Sequence, residues 1–107
     1  MNVEWHELTI PDSSPKVAVA RLRKEDGGAF WALVRFPAGW ARPVSGRYMV
    51  EEEFWILEGE LELNDVTYRL GEGELVPAGA VRKDTRSPRG ALVIARFGGP
   101  ATWVPEQ

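Results

Sequence analysis

The segment Gly39–Gly59, GWARPVSGRYMVEEEFWILEG, begins and ends on glycine and sets three successive glutamates ahead of the apolar run Phe54–Leu57. It contains no histidine. Immediately before it, PAG (Pro37 to Gly39) closes a strand in which Phe30, Ala32, Val34 and Phe36 share one face and Trp31, Leu33 and Arg35 the other. Further upstream, VAVARLR (Val17 to Arg23) reads as a strand, because the β-branched Val17 and Val19 fall on one parity between SSP and DGG. Gly27-Gly28 then predicts a hairpin turn. Downstream come ELEL, a turn at Asn64-Asp65, VTYRL, a turn at Gly71 to Gly73, ELVP, GAVRKDT, SPRG and the long strand ALVIARF, Ala91 to Phe97. The tail adds an edge strand through Trp103. Short strands with frequent turn signals predict an all-β sandwich or barrel.

Composition narrows the function. The 107 residues are 44% hydrophobic, which suits one globular domain spanning 1–107. No cysteine is present, so neither a disulfide framework nor thiolate chemistry is available, which fits a reducing cytoplasm. Glu4 and Glu7 stand where a signal peptide would be basic and then apolar, and no stretch is apolar enough to span a membrane. A net charge of −3 argues against nucleic acid as a partner. The basic run RKDTRSPR, Arg82 to Arg89, reads as a solvent-facing strand and turn interrupted by Asp84. FWIL and ALVIARF are apolar on both faces, so their outer side needs a cover. That cover is either a terminus, through Trp5 or Trp103, or a second subunit. The five tryptophans predict a homodimer.

The spacing in the quoted segment resembles the first motif of the cupins, small jelly-roll β-barrels. That motif runs glycine, five residues, His-X-His, three or four residues, glutamate, six residues, glycine. Laid from Gly39, it puts Ser45 and Arg47 in the histidine places, then Glu52 and Gly59. The second motif falls on Gly71, Pro77-Ala78-Gly79, Arg82 in the histidine place and Arg86 in the asparagine place. The resemblance covers about Gly39 to Arg86 and implies a single cupin-type, RmlC-like jelly-roll barrel with little or no helix. It also implies that Ser45, Arg47, Glu52 and Arg82 converge inside that barrel.

Cupin metal sites use three histidines and a glutamate, and only Glu52 of that set is here. Arginine has no lone pair to offer, so Arg47 and Arg82 are not ligands. No metal and no other cofactor is expected. His6 lies outside both motifs and reads as a surface or packing residue. Alternation sends Glu51 and Glu53 away from Glu52, onto a solvated face. The function this predicts is binding of a small anionic or carbonyl-bearing molecule by Ser45, Arg47, Tyr48 and Arg82, with Glu52 orienting the arginines. One alternative is a metal-independent isomerase, epimerase or cyclase with Glu52 as general base. The other is a non-catalytic dimerisation domain in which Arg47, Glu52 and Arg82 form a closed ion network.

Overall fold

The alternation along Phe30 to Phe36 is realised in the computed structural model, which describes residues 2–106. Among these residues there are eleven strands: β1 His6–Leu8, β2 Val17–Lys24, β3 Phe30–Phe36, β4 Trp40–Arg42, β5 Gly46–Tyr48, β6 Glu52–Leu63, β7 Val66–Arg69, β8 Gly73–Val76, β9 Thr85–Ser87, β10 Ala91–Phe97 and β11 Trp103–Pro105. The turn expected at Gly27-Gly28 is a single 3₁₀ turn, Asp26–Gly28, across which β2 and β3 pair antiparallel. Nine strands share one curled sheet in the order β1-β2-β3-β10-β6-β9-β4, with β7 and β8 also joined to β6. The ribbon β5–β11 is separate, tied to the rest by a bridge between Gly46 and Arg82. The result is an all-β barrel of jelly-roll type. Among the described residues no helix is long and apolar enough to cross a membrane.

β6 is the spine, pairing with β10 and β8 in its first half and with β7 and β9 in its second. Glu52, Phe54 and Ile56 are buried, and then Leu61 and Leu63, so the inward parity changes midway. The change coincides with a register shift opposite Leu92 and Val93, a bulge that bends the strand from one side of the barrel to the other. Gly59 makes this bend feasible. Its φ is +72°, and a Cβ there would lie 2.1 Å from the carbonyl oxygen of Gly90. The core gathers Val17, Phe36, Trp40, Phe54, Ile56 and Val93. Full burial of each large apolar side chain there is worth about 1.5–3 kcal/mol.

Two expectations change. GAVRKDT is not a continuous strand: Asp84 takes a positive φ of 47°, leaving a bridge at Arg82 and the three residues of β9. The solvent-facing character expected of RKDTRSPR, Arg82 to Arg89, also fails at Arg82, Thr85 and Ser87, which are buried. Nor does Trp103 fold over the outer sheet; it pairs with Tyr48 across the β5–β11 ribbon. Trp5 lies instead beside Arg35, whose guanidinium carbon is 5.9 Å from its ring centroid. Trp55, Leu57 and Leu75 on the outer face consequently remain exposed in the single chain.

Candidate functional site in the barrel interior

The inward side chains of β3, β4, β6 and β10 do not fill the barrel. They leave a cavity of about 230 Å³ with walls that include Phe36, Trp40, Phe54 and Val93. Arg42, Tyr48, Glu52, Arg82 and Thr85 line it as well, and all five are buried. A wider groove of about 420 Å³ lies on the outer surface near Lys16, Arg35 and Arg89, but it is open and includes none of these five. The interior cavity is the one in which charged side chains are held away from water.

Local structure fixes each polar side chain. The turn Pro77-Ala78-Gly79 holds β5 through the Gly79 amide, which donates to the Tyr48 carbonyl at 2.9 Å. Gly46 and Arg82 exchange backbone hydrogen bonds of 3.1 and 2.8 Å, setting Arg82 beside the start of β5. From there Nη1 of Arg82 donates to Oε1 of Glu52 in a buried ion pair. The Arg82 guanidinium carbon also sits 4.7 Å from the Tyr48 ring centroid. Nε and Nη2 of Arg82 and Oγ1 of Thr85 are buried with no hydrogen-bond partner.

Arg42, which the sequence reading passed over, is the second interior cation, only 3% exposed. Its Nε donates to the Pro11 carbonyl at 3.1 Å and its Nη2 to the Tyr48 hydroxyl at 2.8 Å. Its guanidinium carbon is 3.8 Å from the Trp103 ring centroid and 5.2 Å from that of Tyr48. The Trp103 indole is anchored in turn to Asp12, at 2.9 Å. Among the described residues no carboxylate forms a salt bridge with Arg42. One available signal was alternation: Trp40 and Arg42 share a face of β4, and Trp40 is an obvious core residue.

Tyr48, Glu52 and Arg82 meet as the sequence suggested, whereas Ser45 and Arg47 do not line the cavity. On β5 the inward positions are Gly46 and Tyr48, with Arg47 between them on the other parity. The inward residues of β5 are therefore one position further along than the sequence spacing put them. Gly46 is dictated by its neighbour, since a Cβ there would lie 2.4 Å from the Trp103 ring. Arg47 consequently takes no part in an ion network with Glu52. Arg86 is exposed and pairs with Glu62 at 3.0 Å. His6 is exposed on β1 and outside the cavity.

This donor set does not fit the divalent metal that such a fold often carries. Among the described residues no histidine lines the cavity, and an arginine engages its single carboxylate. Among the described residues no three histidine, cysteine, aspartate or glutamate side chains converge.

Comparison with solved structures places the fold among the cupin-like, RmlC-like barrels. The acetylacetone dioxygenase of Acinetobacter johnsonii superposes with a TM-score of 0.76 at 14% identity, covering 94% of this chain and 78% of that one. An RmlC-like cupin protein of Ralstonia eutropha gives 0.75 at 12% identity, covering 98% and 68%. A cupin-like protein of Thermotoga maritima gives 0.73 at 14% identity, covering 94% and 84%. No family model and no curated relative matches the sequence.

Proposed function

We propose that the barrel binds a small organic anion, with Arg42 and Arg82 as its cationic anchors. The observation that supports this is the charge balance of the cavity lining, which holds two buried guanidiniums and one buried carboxylate, Glu52. Leaving a buried charge without an opposite partner costs several kcal/mol, and an anion entering the cavity relieves that cost. Tyr48 orients both cations, accepting from Arg42 and offering its ring to Arg82. The dioxygenase activity named for one structural neighbour is not carried over, because likeness at 14% identity extends to fold alone.

Thermal melting at constant ionic strength tests this. At about ten times its Kd, a bound anion adds about 1.4 kcal/mol, or roughly 5 °C in Tm. Arg42→Met is expected to abolish the rise. If no small organic anion raises Tm, the proposal fails. The exposed strip of Trp55, Leu57 and Leu75 supports a homodimer, which sedimentation equilibrium reports directly.

A further inference from the structure

We infer that the ligand is an apolar monocarboxylic acid, bound with its carboxylate on the free edge of Arg82 and its body against the aromatic wall. The inference rests on the reading of the barrel as an anion site and names the chemical class. A guanidinium has two edges on which a carboxylate can sit with both oxygens engaged. On Arg82, Nη1 is committed to Glu52, which leaves the edge formed by Nε and Nη2. Both of those atoms are buried and without a partner. Two parallel N–H donors at that spacing match the two oxygens of one carboxylate. Oγ1 of Thr85, on another cavity-lining residue, is also buried without a partner. These atoms are shielded from water, and the Tyr48 ring covers one face of the guanidinium. The acid therefore reaches the edge by displacing the side chains that shield it.

The remainder of the cavity sets the body of the ligand. Phe36, Trp40, Phe54 and Val93 offer no hydrogen-bonding group to the interior beyond the Trp40 indole, which already donates to Ser13 at 3.2 Å. A volume of about 230 Å³ is the share of roughly eight liquid waters and lies below the usual range for drug-sized ligands. It suits one ring or a short alkyl chain. Against Glu52, the two buried guanidiniums leave an excess of one positive charge, so a second carboxylate or a phosphate dianion would bring more negative charge than the interior balances.

Isothermal titration calorimetry of the full chain distinguishes the classes, with benzoate, hexanoate, benzamide, succinate and inorganic phosphate as probes. Benzoate or hexanoate is expected to bind one per chain with a negative heat-capacity change. Benzamide, which keeps the ring but not the charge, is expected to bind at least about tenfold more weakly. Arg82→Lys keeps the charge and loses the fork, so it should weaken benzoate or hexanoate by about tenfold as well. If that variant does not fold, the wild-type series alone still decides. Binding of succinate or phosphate in place of the monoacids would overturn the class and leave the anion site standing. Benzamide binding as tightly as benzoate would overturn both, as would the absence of binding by any of the five.

Discussion

Among the glutamates that pair with arginines, Glu25 and Glu52 are satisfied to different degrees. Near the surface, Glu25 gathers Arg96 at 2.9 Å, Arg23 at 3.0 Å and the Trp31 indole at 3.3 Å, tying the β2–β3 turn to β10. In the interior, Glu52 holds Arg82 alone, and Arg82 keeps two donors without partners. Water is available to complete the first cluster, so its closure is inexpensive and each pair contributes little. No such remedy reaches the second, where an unmade hydrogen bond costs about 1–3 kcal/mol. A cluster that is incomplete where incompleteness is expensive points to a use beyond holding the fold.

The contrast is sharpest in variants of the two glutamates. Glu52→Ala strands Arg82 in the interior and should cost about 3–5 kcal/mol in urea unfolding. The double variant Glu52→Ala with Arg82→Met should recover much of that loss. A cost below about 1 kcal/mol for Glu52→Ala would mean that the interior pair is no more critical than a surface one. Arg42→Met comes next: removing a buried cation that has no carboxylate partner should leave stability within about 1 kcal/mol of wild type, while anion binding disappears. If it costs as much as Glu52→Ala, Arg42 is structural and the comparison collapses.

The smallest effect belongs to Glu25. Hydrogen bonds from Arg96 and then Arg23 hold its carboxyl below the ordinary glutamate value of 4.5, so the folded state favours the ionised form. Its contribution is present in full above that ordinary value and is lost as the pH falls through the lower folded one. Glu25→Gln should therefore lower Tm slightly at neutral pH and leave it unchanged in strong acid. Equal deficits at both ends of a pH series of melting curves would remove ionisation from the explanation.

Much of the barrel was legible in its punctuation. Gly59, Gly71 and Pro77-Ala78-Gly79 sit at bends and turns whose backbone demands hold whatever the side chains do. The site was less legible because strand alternation is unforgiving. A motif that tolerates three or four residues leaves a one-residue choice, and one residue turns every side chain to the opposite face. That choice separates Ser45 and Arg47 from Gly46 and Tyr48. Arg42 was missed for a related reason: an arginine followed by proline looks like the start of a loop, whereas its partner Trp40 carries it inward. Trp103 had no local signal, since its role depends on pairing with β5, more than fifty residues earlier in the chain.

The stacking of Trp103 on Arg42 has an optical consequence. An indole 3.8 Å from a guanidinium carries that cation's electric field in its excited state. An anion bound in the cavity as proposed would cancel part of the field and shift the emission wavelength. Trp5, Trp31 and Trp55 lie outside the cavity and would supply a steady background, while Trp40 in the wall would respond to a molecule that fills the cavity. The protein thus carries its own dye for the charged end of its cavity and another for the apolar end, and Trp103→Phe and Trp40→Phe would separate the two signals.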